Sequence, residues 1–118
     1  MIEDDIIGEL TRAVTLKAAG HPGKARVLAR RAVGKACKSL LKTYGCWHSG
    51  MSALDSIKEL VRSEFAKPEW KPLLSHFLLH VDEDHNLPKG VDLVDEADYL
   101  VSDIFKMTLM RRSIDGED

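Results

Sequence analysis

The sequence predicts an all-α protein, an antiparallel, four-helix-bundle-like fold of about five helices. Three observations favour this fold class. Apolar residues recur at three- and four-residue steps over most of the chain. Turns that contain glycine or proline separate the segments with this period. No stretch of convincing length alternates apolar and polar residues, as a strand with one buried face would. Because the connections are short, we expect successive helices to be neighbours in the bundle.

The length and composition predict one domain. The chain has 118 residues, of which 44% are apolar and 31% are charged. These values are typical of a compact unit with its own hydrophobic core. We therefore expect a single helical domain over residues 1–111, followed by a flexible polar tail over residues 112–118.

The first two predicted helices are joined by a tight turn. The first covers residues 2–19 and ends at Gly20, a residue favoured just after helix C-termini. Pro22 then opens the second helix, because the first turn of a helix does not need the amide donor that proline lacks. The second helix extends to about Tyr44. One of its faces carries mostly small residues: Ala25, Ala29, Ala32, Val33, Ala36 and Cys37. Since such a face lets neighbours approach closely, we expect this helix to be central, flanked by the first and fifth.

A loop and a capped helix follow. Residues 45–50 are bounded by glycines and have no helical period, which predicts a loop. Ser52 with Asp55 three residues later is the pattern of a capping box, in which each side chain binds the other residue's backbone amide. The apolar face of this third helix continues to Phe65. The sequence therefore indicates a helix that begins just after Ser52.

Prolines and a charged loop define the last two helices. Pro72 predicts that the regular part of the short fourth helix begins near it and runs to about Val81. The segment 82–91 has the residues of turns and no period. Asp92 stands at the N-cap position of a fifth helix, which is predicted to end near Arg111.

The charge balance limits the classes of partner. With 17 Lys and Arg against 19 Asp and Glu, the net charge of −2 argues against a general nucleic-acid coat, which needs many cations for phosphates. No apolar run approaches the ~20 residues that cross a bilayer. The acidic start at residues 1–5 is unlike the basic opening of a secretory signal. Cys37 and Cys46 are too few for a disulfide framework. We expect a cytoplasmic protein with both thiols reduced and no membrane association.

A basic stripe lies on the second helix. At 100° per residue, five cations of this helix fall within a sector of about 60° around its axis. They are Lys24, Arg31, Lys35, Lys38 and Lys42. One interpretation is a solvated helix face, and the other is a contact surface for an acidic partner or for phosphates. Between Asp82 and Asp103 there are eight acids against Lys89 alone. The stripe can therefore be neutralised within the molecule or across a homodimer.

Arg26 and Arg30 stand apart from that stripe, on the apolar side of the second helix. An arginine keeps its proton, so a buried guanidinium needs acceptors. The acids considered as partners are Asp82, Glu83, Asp84, Asp98 and Asp103. Three interpretations remain open: a structural tie to Asp82 and Asp84, an anion or nucleotide site built on the same arginines, and an extended side chain whose head reaches solvent.

Histidines supply a possible metal site. His76 and His80 are four residues apart, the spacing at which two imidazoles on one helix face can bind one metal ion, and His85 is near enough to add a third. The segment lacks the glutamate of the protease-type motif. Cys46 beside His48 is a weak signal for a nucleophile without a third, orienting group. We expect no metal, no cofactor and no catalytic residue.

Three segments resemble a known family. The run GKARVLARRAVGKA at residues 23–36, the run VDEDHNLP at residues 81–88 and the helix opened by Asp92 resemble a group of short prokaryotic proteins related to HEPN domains. HEPN domains are helical bundles, often dimeric, that occur beside minimal nucleotidyltransferases or act as toxin ribonucleases. The resemblance implies a bundle that binds a nucleotide or a nucleotidyltransferase partner. Arg26 and Arg30 are the only positions carried over from it.

The ribonuclease pattern of that family is not matched here. It has an arginine followed after four to six residues by a histidine, late in the domain, whereas no arginine of this chain has a histidine at that spacing. We therefore expect a non-catalytic interaction domain that forms a homodimer. The alternative is an enzyme, either a HEPN-type ribonuclease or a metal-dependent one.

Overall fold

The computed structural model describes residues 2–78 and 92–115, and the described part contains five helices and no strand. The helices are α1 (Ile2–Ala18), α2 (Pro22–Thr43), α3 (Ala53–Arg62), α4 (Trp70–Leu78) and α5 (Leu93–Asp115). The all-α bundle predicted from the sequence is confirmed. Among these residues, none of the helices combines the length and the apolar character that crossing a membrane requires.

Helix α2 is the centre of the bundle, as its small-residue face predicts. It packs against α1, α3 and α5. Its alanines at positions 25, 29, 32 and 36 have no exposed surface, and neither has Cys37. The closest crossing is at Gly34, where a Cβ atom would lie 2.6 Å from the Cβ of Ala53. Only glycine fits there without a shift, so the backbones of α2 and α3 approach closely.

Glycines and caps end and begin the helices as local chemistry dictates. Gly20 and Gly45 both have positive φ, 87° and 74°, which L side chains avoid and which ends α1 and α2. Ser52 Oγ accepts a hydrogen bond from Asp55 N at 3.1 Å, and Asp55 Oδ2 accepts one from Ser52 N at 3.0 Å. The predicted capping box is confirmed. Asp92 Oδ1 likewise accepts from the amide of Val94 at the start of α5.

Three helix boundaries differ by more than one residue from the sequence-based expectation. Helix α3 ends at Arg62, before the predicted Phe65, because Ser63 already has an extended backbone. Helix α4 begins at Trp70, two residues before Pro72. Proline fits there because the first turn of a helix does not need the amide donor that proline lacks. The amide of Trp70 donates a hydrogen bond to Lys67 O at 3.0 Å, just before the helix. The predicted end at Val81 lies outside the described residues. Helix α5 continues to Asp115, four residues beyond Arg111.

The helix directions follow from contacts at the helix ends. Lys17 at the end of α1 forms an ion pair with Asp92, just before α5, so these two helices are antiparallel. Lys35 of α2 binds Glu9 of α1 at 3.0 Å. The start of α2 also lies beside the start of α5, and Arg111 lies 4.9 Å from the ring centre of Tyr44 at the other end. Helices α2 and α5 therefore run in the same direction, with α3 and α4 between them in sequence.

Candidate anion-binding site

Arg30 is held at the C-terminal end of α4. Its Nε donates a hydrogen bond to the backbone oxygen of Phe77 at 3.1 Å, one residue before the last described residue of α4. A backbone carbonyl oxygen has two lone pairs and can accept a hydrogen bond from a guanidinium group. Arg30 is half-buried, and Phe77 is fully buried. The contact therefore fixes the base of the guanidinium and leaves the two Nη groups for another acceptor.

Arg26 lies one helical turn before Arg30. It is half-buried and lines a small cleft of about 160 Å³ between the starts of α2 and α5, together with Lys17, Asp92 and Leu93. The carboxylate of Asp92 is already engaged, by Lys17 through Oδ2 and by the first amides of α5 through Oδ1. Lys17 and the α5 amides hold the pKa of Asp92 below its usual range against the effect of burial. The acid of the cleft thus serves the cap of α5.

The two arginines repel each other. Burial, and secondly the charge of Arg26, lower the pKa of Arg30 from its usual value. An arginine nevertheless stays protonated at physiological pH, so both charges persist. Within the described residues Arg26 makes no hydrogen bond or ion pair, and Arg30 makes only the one to Phe77. Two half-buried cations one turn apart would be stabilised by an anion that both can reach.

Of the five acids expected as partners of Arg26 and Arg30, the structure describes only Asp98 and Asp103. Asp82, Glu83 and Asp84 lie outside the described residues, so the predicted tie to these acids stays a prediction. Asp98 is exposed on α5. Asp103 binds Trp70 Nε1 at 2.7 Å and Lys67 Nζ at 3.1 Å, on the side of α5 that packs against α4.

Of the three histidines considered for a metal site, the structure describes only His76. His76 Nδ1 lies 2.6 Å from Glu96 Oε1, a contact that joins α4 to α5. His80 and His85 fall outside the described residues. Over residues 2–78 and 92–115, no group of three or more His, Cys, Asp or Glu side chains has the geometry of a metal site. Where the structure shows it, His76 contributes to the packing of two helices.

In the 45–50 loop, the thiol of Cys46 and the imidazole of His48 contact different backbone groups and not each other. Cys46 Sγ contacts Tyr44 O at 3.6 Å, and His48 Nδ1 accepts a hydrogen bond from Gly50 N at 3.2 Å. Trp47 is partly buried and packs against the core. The ammonium groups of Lys38 and Lys42 lie over its ring, at 4.5 and 4.7 Å from the centre.

The basic stripe of α2 is partly neutralised inside the molecule. Lys35 binds Asp5 and Glu9 of α1, and hydrogen bonding to Asp5 raises its pKa. Lys24 and Arg31 remain exposed. The stripe is thus divided among an ion-pair cluster, the Trp47 ring and a solvated face.

A second feature is an apolar groove between α1 and α5, about 250 Å³ in volume. Ile7 and Val14 on its α1 side are each 54% exposed, which is unusual for large apolar side chains. Phe105 and Val101 line the α5 side, and Asp98 is the charged residue among those that line it.

Sequence reasoning missed the partner of Arg30 because that partner is a backbone oxygen. Every residue carries one, and nothing in the sequence marks the oxygen of Phe77 as the acceptor. The signal that existed was the position of Arg30 on an apolar face, which correctly indicated a guanidinium in need of an acceptor. A scan against protein-family models, a search of curated proteins and a search of solved structures each found no match to this chain.

Proposed function

We propose that this chain is a non-catalytic helical interaction domain that binds the phosphate groups of a nucleotide through Arg26 and Arg30. The observation that supports this most strongly is the pair of half-buried guanidinium groups one helical turn apart, of which the backbone of α4 anchors one. Two guanidinium forks are well suited to phosphate oxygens, because each can form two parallel charge-assisted hydrogen bonds.

The size of the adjoining cleft defines how the ligand would fit. Its volume of about 160 Å³ is below the ~300–1,000 Å³ of pockets that enclose whole small molecules. The cleft, which Arg26 lines and Arg30 does not, therefore accommodates a phosphate group beside Arg26, while the rest of the nucleotide lies outside on the surface. The resemblance to HEPN domains supports the same ligand class, with a nucleotidyltransferase as the corresponding protein partner.

Thermal unfolding in the presence of ATP tests the proposal. A ligand that binds only the folded state raises Tm with concentration, so millimolar ATP should raise the Tm of the wild-type chain. Arg26→Gln should abolish most of that rise without lowering the Tm measured in the absence of ATP, because Arg26 makes no hydrogen bond within the described residues and its charge repels Arg30. Arg31→Gln, on the exposed face of the same helix, is the matched control and should keep the rise.

The structural tie to Asp82 and Asp84 predicts a different pattern. In that case Asp82→Asn combined with Asp84→Asn would lower Tm as much as Arg30→Gln, since either change would strand buried charge. ATP would then have no effect on Tm in the wild type. This result would refute the nucleotide site.

We also propose that the domain forms a homodimer through the α1–α5 groove. The exposed Ile7 and Val14 and the partly buried Phe105 support this surface, because monomers expose few contiguous apolar patches. A second copy of the chain is a suitable occupant, since the groove is nearly uncharged and self-association surfaces are depleted of charge at their centre.

Sedimentation equilibrium tests the dimer. The wild type should show twice the mass of one chain, and Val14→Asp should show the mass of one. Val27→Asp is the control, because Val27 is similarly exposed, at 48%, but lies on α2 away from the groove. A wild-type chain that sediments as a monomer at tens of micromolar contradicts the proposal.

A further inference from the structure

A second groove, which we call the methionine groove, lies at the opposite end of α2 and α5 from the arginine cleft. Its volume is about 380 Å³. The floor is formed by Tyr44, Met107 and Met110, and the cations Lys67, Lys106 and Arg111 border it. This volume falls within the ~300–1,000 Å³ of pockets that bind small organic molecules.

Its apolar floor is exposed to solvent. Met110 is 67% exposed, the largest value among the exposed large apolar residues of the described chain. Methionine side chains are flexible and polarisable, so they adapt to ligands of varied shape. One face of the Tyr44 ring stacks on Phe65, with 3.9 Å between the ring centres, and Arg111 lies over Tyr44 at 4.9 Å. The floor therefore offers methionine surface and leaves little of the aromatic face for stacking a nucleobase.

The charge on the border is positive. Asp103, the acid of this groove, is held by Trp70 and Lys67, and the hydrogen bond from Trp70 lowers its pKa most. Lys106 forms no ion pair within the described residues. The groove thus combines an apolar floor with an ammonium group that an anionic head group can reach.

We infer that the methionine groove binds an amphiphilic anion, an unbranched alkyl chain that carries a carboxylate or a phosphate head. The chain covers Met107 and Met110, and the head binds Lys106. This site is separate from the arginine cleft, and neither depends on the other. An uncharged amphiphile would lack the contact with Lys106, and a hydrophilic anion would leave the methionines exposed to water.

Isothermal titration calorimetry with dodecanoate, dodecyl phosphate and dodecanol, each below its micelle concentration, tests this site. We expect either anion to bind at least about tenfold more tightly than dodecanol, the size of effect typical of one charge-assisted contact. Lys106→Gln should remove that preference. Met110→Asp should weaken binding of the anions by about tenfold or more, because it replaces apolar floor by a repelling charge.

Leu109→Asp is the matched control for Met110→Asp. Leu109 is 57% exposed on the same helix but does not line the groove, so the variant should bind the anions as the wild type does. Binding of one anion and not the other supports the site and identifies its head group. Binding of neither anion, equal binding of dodecanol, or an equal loss in Leu109→Asp would overturn the inference. Because Met110 and Leu109 are both exposed, far-ultraviolet circular dichroism should show the same helix content in both variants.

Discussion

The contact between Trp70 and Asp103 should be the strongest polar link between α4 and α5. Trp70 has no exposed surface, and its Nε1 donates to Asp103 Oδ2 at 2.7 Å. Asp103→Ala removes the acceptor and leaves the indole N–H buried without a partner, which costs about 1–3 kcal/mol. Lys67, which is 39% exposed, adds less because solvent screens its charge. We expect the variant to lose about 2 kcal/mol of unfolding free energy.

A double-mutant cycle separates this contact from general packing. Trp70→Phe removes the N–H and keeps much of the ring, so its own cost comes from the smaller side chain. In the double variant with Asp103→Ala the N–H is no longer stranded, and the two losses should sum to more than the observed loss by about 1–2 kcal/mol. Urea unfolding at pH 7, followed by circular dichroism, measures all four proteins. If the losses of the two single variants add up to the loss of the double variant within ~0.5 kcal/mol, the two side chains are not coupled and the contact contributes nothing.

The same contact predicts a pH dependence. The hydrogen bond from Trp70 and the charge of Lys67 lower the pKa of Asp103 in the folded state. A carboxyl group whose pKa is lower when folded stabilises the protein above its unfolded pKa of about 3.9, and this stabilisation is lost as the pH falls through the folded pKa. The difference in unfolding free energy between wild type and Asp103→Ala should therefore shrink between about pH 5 and pH 2. A difference that grows on acidification would contradict this sign.

Three further predictions concern the framework. Gly34→Ala should lower the free energy of unfolding, measured by urea unfolding, by about 1–2 kcal/mol. Overpacking against Ala53 outweighs the ~1 kcal/mol gained in helix propensity. A stabilised variant would show that α3 moves away without cost. Ser52→Ala should cost about 1 kcal/mol in the same assay through loss of the α3 cap, and an unchanged midpoint would show that the cap adds nothing. A disulfide reagent should modify Cys46 rapidly in the folded chain, and Cys37 only after unfolding, since burial raises the pKa of the Cys37 thiol; two fast thiols would contradict its burial.

Local chemistry accounts for what the sequence predicted well. Pro22 and the Ser52 capping box act within one turn of the chain, so they are visible in the residues themselves. The small-residue face of α2 likewise requires close neighbours, whichever helices supply them. These features were enough to predict five helices with α2 at the centre.

The remaining features depend on which groups meet in space. Eight acids lie between Asp82 and Asp103, and nothing in their spacing shows that Asp103 binds Trp70. The parallel arrangement of α2 and α5 depends on contacts at both ends of these helices, which are far apart in the sequence. The contact of Arg30 with a backbone oxygen could not be predicted, because such an oxygen has no signature in the sequence.

Titration of ATP into the wild type, Arg26→Gln and Arg31→Gln at low ionic strength tests the proposed anion site. We expect saturable binding to the wild type and to Arg31→Gln with the same Kd. Arg26→Gln should bind about 10–100-fold more weakly, as the loss of a charge-assisted contact of about 1.5–3 kcal/mol implies. Arg31 is exposed and Arg26 half-buried beside the cleft, so the two substitutions remove the same charge from different faces of α2. Equal Kd values for Arg26→Gln and Arg31→Gln, or no binding to the wild type, would contradict the proposed function.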